Sequence, residues 1–180
     1  MRVCAVVPVK GLRETKSRLS PILDPGCRAG LTIYMMGRVI STLREAGVEE
    51  VCVVSPDRLV LEEAAKRRGA PLRQKSRGLN PALKEGRRWA MDRGASALLV
   101  IPADLPLLDA EDVRAVLDAA EGSSVVVSPD GARVVTNALL LRPPYAIPFS
   151  FGLGSFGAHV RAAKQGGLSV TVCERDHLAF

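Results

Sequence analysis

The stretch that most constrains this chain is LLVIPADLPLL, Leu98 to Leu108. Its apolar run from Ala97 to Ile101 is unbroken, too short for a free-standing helix, and bounded by Gly94 and Pro102, which predicts a central strand buried on both faces. Such a strand needs helices above and below it, and therefore an α/β sheet. The strand ends on Pro102 and presents one carboxylate, Asp104, with Pro106 stiffening the exit. In open α/β sheets ligands bind just beyond the carboxyl ends of the strands, where an acid is placed to hold a metal ion. Taken alone, Asp104 reads equally well as an acid capping a turn.

Strand and helix signals alternate around this stretch. Val3 to Val7 predicts a strand that breaks at Pro8 into the polar segment Val9 to Ser20. Asp24 before Pro25 has the form of an N-cap with proline in the first helical position, and Leu31, Met35, Val39 and Leu43 recur at four-residue spacing until Gly47. Val51 to Val54 predicts a strand, and Leu59 to Arg68 a helix stopped by Gly69. A short strand near Leu72 leads past Gly78 to a helix opened by Asn80-Pro81 and running to Asp92. Beyond the central strand, Asp109 and Asp112 have the spacing of a capping box for a helix over Ala110 to Ala120. Ser124 to Ser128 and Asn137 to Leu141 predict strands on either side of the turn Pro129-Asp130-Gly131. Pro143-Pro144 starts a long loop that ends at Ser155, read as the N-cap of a helix reaching Gln165, and Leu168 to Cys173 predicts the last strand. Short joins between strands and helices predict an α/β fold with a mostly parallel, doubly wound sheet and an antiparallel member among the final strands. No repeat or linker divides the chain, so residues 1–180 read as one domain.

Charge and composition narrow the partners. Aromatic residues make up only 4% of the chain, which argues against a base-stacking nucleic-acid platform. The net charge of +6 is dispersed and favours small anionic substrates. Cys4, Cys27, Cys52 and Cys173 have no ligand spacing and read as reduced core residues, three of them in strands. The opening MRVCAVVPVKG is too short an apolar run for a signal peptide, and no segment approaches a membrane span. The expectation is a cytoplasmic protein with neither a nucleic-acid nor a membrane partner.

Three loops gather at the carboxyl ends of the predicted strands. The first carries Lys10, Lys16 and Arg18, cations suited to a polyphosphate, although the spacing is not that of a P-loop and a solvated basic loop is the plainer alternative. The second, QKSRGLNPA, offers Gly78 for close backbone approach to a ligand and Asn80 either as a reader of a base or ribose or as an N-cap. The third, FSFGLGSFGAH, places Gly152 and Gly154 before Ser155 at a helix start, an arrangement that collects backbone N–H groups and the dipole end around an anion. Thr136 and Asn137 offer further donors, while His159 and His177 have no partner at metal spacing and read as structural. Together these describe a metal-assisted transfer between two phosphorylated compounds.

The order VVPVKG, TKSRLSP, RGLNPAL, PADLPLL, TNALLLRPP and FGLGSF, from Val6 to about Ala179, resembles the 2-phospho-L-lactate guanylyltransferase family with its phosphoenolpyruvate-using relatives. PADLPLL recurs in many nucleotidyltransferases, whereas TNALLLRPP followed by FGLGSF is specific to this family. The resemblance implies a nucleotide-diphosphosugar-transferase-like, Rossmann-like fold. It also implies a reaction of GTP with a small phosphorylated acid in deazaflavin coenzyme biosynthesis, releasing pyrophosphate. By the same resemblance Lys10, Lys16 and Arg18 hold the GTP phosphates and Gly78 and Asn80 border the nucleoside. Asp104 binds Mg²⁺, and Thr136, Asn137, Gly152, Gly154 and Ser155 hold the phosphoacid, with Lys16 and Asp104 as the catalytic residues. A homodimer is implied as well. Relatives continue past the last strand with a D-x-D pair that completes the metal site, and the chain stops at Phe180, where that pair would begin; the expectation is a domain without that tail. Two alternatives stay open: another nucleotidyltransferase of this fold, of the molybdenum-cofactor guanylyltransferase or cytidylyltransferase type, and a non-catalytic nucleotide-binding protein.

Overall fold

The computed structural model describes residues 1–13 and 20–179. Its strands are β1 (Val3–Pro8), β2 (Glu50–Ser55), β3 (Ala70–Arg73), β4 (Ala97–Val100), β5 (Val125–Pro129), β6 (Thr136–Leu141) and β7 (Val170–Val172). Its helices are α1 (Pro25–Glu45), α2 (Arg58–Lys66), α3 (Leu79–Asp92), α4 (Ala110–Ala119) and α5 (Ser155–Gln165), and a 3₁₀ turn spans Asp176–Leu178. The strands form a seven-stranded sheet in the order β3-β2-β1-β4-β6-β5-β7. The β1 strand is parallel to β2 and β4, β2 to β3, and β5 to β7, whereas β6 runs antiparallel to both β4 and β5.

The reversal of β6 follows from local chemistry. Asp130 ends β5, and its Oδ1 accepts hydrogen bonds from Val134 N–H at 2.6 Å and Val135 N–H at 2.9 Å, closing the chain into a hairpin. The returning strand inserts between β4 and β5 with Val100 opposite Leu139. Its first residues, Thr136 and Asn137, therefore stand at the end where β1 and β4 finish.

Period-two alternation assigns the two faces of the sheet. Cys4 and Val6 of β1 pack with Leu98, Val100, Leu139 and Leu141 under α3 and α5, through Leu83, Trp89, Ala90 and Ala163. Ala5 and Val7 face the other way and pack with Leu99, Ile101 and Leu140 under α1, α2 and α4, through Met36, Ile40, Val60 and Val113. The α3 helix lies unusually close to the sheet: a Cβ on Gly86 would stand 2.6 Å from a methyl carbon of Val6. Only glycine permits that approach without a shift.

Several sequence expectations need correction. The α3 helix starts at Leu79 with Gly78, at φ 103°, as its N-cap; Asn80 makes no capping bond. Likewise Gly154, at φ 77°, is the N-cap of α5, and Ser155 is the first helical residue. The last strand is only Val170–Val172, so Cys173 lies beyond it; Cys27 is exposed on α1, leaving Cys4 and Cys52 as the fully buried thiols. Burial pushes the Cys52 thiol up to about 12. Among the described residues no helix is long and apolar enough to cross a membrane.

Candidate active site

A cleft of about 200 Å³ opens where β1, β4 and β6 meet, lined by Pro8, Val100, Pro102, Asp104, Thr136, Asn137, Gly152 and Ser155, with Leu79, Val135 and Phe151 as apolar walls. Asp104 is exposed between two buried neighbours, Ala103 and Leu105, which anchor the turn after β4 and leave the carboxylate toward the cleft. The structure thus gathers five sequence-predicted residues, Asp104, Thr136, Asn137, Gly152 and Ser155, into one concavity. Gly154 stands between two of them as the helix cap. The apolar lining was invisible to a search for chemistry-bearing residues.

One part of the cleft lining is built by α5 and the start of β6. Ser155 and His159 lie four residues apart, hence on one face of the helix. Ser155 Oγ accepts the Thr136 N–H at 2.8 Å, and His159 Nδ1 is 2.9 Å from Thr136 Oγ1. All three residues are buried. The Ser155 N–H donates to Gly152 O at 3.1 Å and the Phe156 N–H to Val134 O at 3.3 Å. Those two N–H groups are engaged by the protein itself, so the anion-binding capacity of this wall rests on hydroxyls more than the glycine pattern predicts. Asn137 donates through Nδ2 to Leu178 O at 2.7 Å, fixing the end of the described chain behind the cleft.

His159 is not the isolated structural histidine that spacing alone predicts. The Ser150 N–H donates to its Nε2 at 3.0 Å. An accepting Nε2 leaves the ring proton on Nδ1. Burial holds the ring neutral, its pKa lowered to about 4. The next N–H, of Phe151, donates to Asn80 Oδ1 at 2.9 Å while Asn80 Nδ2 donates to Phe151 O at 3.0 Å. Asn80 therefore clamps the glycine loop onto α3 with the amide that the sequence offered as a base reader. Further along, Arg87 stacks 3.9 Å above the Phe149 ring and donates to Ile147 O at 2.8 Å.

The loops after β1 and β3 are braced in the same manner. Lys10 is exposed after Pro8 and Val9, and the Leu12 N–H donates at 2.9 Å to Asp57 Oδ2, whose other oxygen caps α2. Lys16 and Arg18 lie outside the described residues. Glu85 accepts from the N–H groups of Lys75 at 2.9 Å and Ser76 at 2.8 Å. Slight burial works against its charge, yet these hydrogen bonds hold the Glu85 carboxyl below its ordinary range. That brace holds the segment leading to Gly78, whose neighbour Leu79, not Gly78 itself, is among the residues lining the cleft.

Two places bear on a metal ion. Asp109, Asp112 and His177 bring ligand atoms within 4.8 Å of one another. Asp112, however, accepts from Arg175 Nε at 2.9 Å, from the Asp109 N–H at 3.2 Å in the capping box, and pairs with His177 Nδ1 at 3.0 Å. Its oxygens are satisfied, and the cluster ties the 3₁₀ turn to α4. Asp104 differs: it is an exposed carboxylate residue lining a mostly apolar cleft that also carries Thr136, Asn137 and Ser155, and one carboxylate can hold Mg²⁺ there when substrate phosphates and waters supply the other oxygens.

A family model described as "Guanylyl transferase CofC like" matches residues 3–178. The phosphoenolpyruvate guanylyltransferase of Rubrobacter xylanophilus is 60% identical over 181 residues, covering 100% of this chain and 88% of that protein. The 2-phospho-L-lactate guanylyltransferase of Methanothermobacter thermautotrophicus is 37% identical over 184 residues, covering 100% of this chain and 79% of its own length. Among solved structures, a nucleotidyl transferase from Methanothermobacter thermautotrophicus superposes with a TM-score of 0.70 at 18% identity, covering 98% of this chain and 90% of that one. That likeness fixes the α/β fold.

Proposed function

We propose, because this chain belongs to the CofC-like guanylyl transferase family, that it joins GTP to phosphoenolpyruvate, forming a diphosphate-linked guanosine compound and pyrophosphate. The single observation that carries the reading is the cleft that Asp104, Thr136 and Ser155 line together. A phosphate oxygen of the acid attacks the α-phosphorus of GTP, a P–O bond forms, and the bond to the β-phosphate breaks. In-line transfer of this kind depends on positioning and charge neutralisation, so no protein nucleophile is needed.

On this reading Lys10, Lys16 and Arg18 hold the GTP phosphates, with Lys16 neutralising charge as pyrophosphate departs. Gly78 allows the nucleoside close to the backbone, and Asn80 shapes that border by clamping Phe151. Asp104 would hold Mg²⁺, which when bound neutralises phosphate oxygens that would otherwise repel one another. Thr136 and Ser155 donate to the phosphoacid, Asn137 lines the same wall, and Gly152 and Gly154 let the loop bend around it. GTP, a phosphorylated acid and a second copy of the chain are the partners; nucleic acid and membrane are not. We place the reaction in deazaflavin coenzyme synthesis in the cytoplasm.

Pyrophosphate release tests this directly. Protein and Mg²⁺ are incubated with each nucleoside triphosphate in turn, with phosphoenolpyruvate, 2-phospho-L-lactate or neither. Release only with GTP and phosphoenolpyruvate is expected. 2-Phospho-L-lactate is the second reading, favoured by the 37% identical relative, and it also presents a carboxylate beside a phosphate. Equal release with CTP, or release that ignores both acids, would overturn the proposal.

A further inference from the structure

We propose that His159, a residue outside the cleft lining, is a positioning residue that aims the Thr136 hydroxyl proton at the acceptor's anionic group. This rests on the reading of Thr136 as a ligand of the phosphoacid. The inference follows from the direction of each hydrogen bond. The Ser150 N–H donates to Nε2, so that nitrogen carries a lone pair and the ring proton sits on Nδ1. Nδ1–H then donates to Thr136 Oγ1 across 2.9 Å, which fixes the hydroxyl as acceptor on that side. The Thr136 N–H is taken by Ser155 Oγ, so Ser155 also keeps its own hydroxyl proton to donate. Each hydroxyl oxygen thus accepts one N–H from the protein and keeps its proton to donate, and both residues line the cleft. A phosphate or carboxylate oxygen entering it meets two pre-aimed donors.

The arrangement discriminates by charge and polarity. A hydroxyl free to rotate could accept from a ligand as readily as donate to it; one that already accepts an imidazole N–H has one of its two lone pairs taken and its proton left to donate, which biases it toward donation. His159 is fully buried and packs T-shaped with the Phe151 ring, centroids 4.9 Å apart, so bulk water does not compete for its Nδ1 proton. The wall is accordingly built for an acceptor that is all lone pairs.

Two amide variants separate the functions of the ring. The amide of glutamine reaches where Nε2 lies and can accept from Ser150, while that of asparagine reaches where Nδ1 lies and can donate to Thr136. His159→Gln is expected to raise KM for phosphoenolpyruvate about tenfold with KM for GTP unchanged, and His159→Asn to stay within about threefold of the parent, as one charge-linked hydrogen bond would predict. In a Thr136→Val background, His159→Gln should add no further loss. A Thr136→Val variant with unchanged KM for the acid would overturn the ligand reading and the inference with it. If Thr136→Val raises that KM and His159→Gln does not, only the positioning role falls. Long-range ¹⁵N correlation on the intact, unsubstituted protein needs no variant to fold: it should show the Nδ1–H tautomer of His159, and an Nε2–H tautomer would refute the proposal.

Discussion

Replacing Gly86 by alanine sets two opposed effects against each other, and the geometry decides between them. A Cβ at Gly86 would lie 2.6 and 2.9 Å from the two methyl carbons of Val6 and 3.4 Å from its Cβ. Relaxed carbon contacts stand at roughly 3.5–4.0 Å, so either helix or strand must give by about 1 Å. Val6 is fully buried on a central strand and, being β-branched, has little rotamer freedom with which to yield. Overpacking of this kind costs about 1–3 kcal/mol, whereas removing a glycine from a helix interior stabilises by about 1 kcal/mol. The net expectation is a loss of up to about 2 kcal/mol, read by equilibrium urea unfolding as a lower midpoint with an unchanged m-value. Val6→Ala alone should cost about 2 kcal/mol for lost methyl contacts and the cavity they leave. Combined, the new methyl occupies the space the valine vacates, and the pair should cost about 1 kcal/mol, well below the sum. Because α3 carries Asn80, guanylyl transfer should fall in Gly86→Ala and recover in the pair. Stabilisation by Gly86→Ala, or strict additivity in the pair, would refute the close-approach reasoning.

Asp104→Asn should leave thermal unfolding unchanged, since its side chain is exposed, while lowering pyrophosphate release about a hundredfold or more; near-parental turnover would remove Asp104 from the metal site. Asn80→Ala should unfold earlier by about 1–2 kcal/mol, having lost a reciprocal pair of hydrogen bonds to Phe151, and hydrogen exchange at Phe151 should accelerate. Stability should also depend on His159 through pH. Its folded pKa is lowered from 6.5 to about 4, so the unfolded chain binds the extra proton first. The contribution is fully present above about pH 6.5 and is lost as pH falls toward 4, amounting to about 3 kcal/mol relative to His159→Gln. Urea midpoints of the two proteins that run parallel from pH 7 to 4.5 would contradict the buried neutral ring.

The parts of the fold that declare themselves over a few residues were legible in advance. The run Ala97 to Ile101 marks β4 because only a strand covered on both faces tolerates such uniform apolarity. Asp24 with Pro25 and the Asp109/Asp112 box are complete within one turn of helix and appear as predicted. What the chain concealed is long in sequence. Asn80 and Phe151 are 71 positions apart and Thr136 and His159 are 23 apart, and nothing in local spacing says that these side chains meet. The same limit explains the two caps. Ser155 and Asn80 have good capping chemistry, but tertiary partners took their side chains and left the cap to glycines that tolerate positive φ. Spacing between the two histidines is blind to a hydroxyl on a different element, which is where His159 finds its partner.

The inverted direction of β6 has a consequence for how this enzyme can change. Thr136, Asn137, Gly152 and Ser155, the residues proposed to hold the acid, come from one contiguous module of hairpin, loop and α5, while the preceding part of the chain lends the cleft Pro8, Leu79, Val100, Pro102 and Asp104. The halves touch through the leucine ladder between β4 and β6 and through the Asn80 clasp. On the proposed reading, transplanting that module from a cousin with a different acid preference should exchange the acceptor and leave the choice of nucleobase behind, an inheritance by cassette.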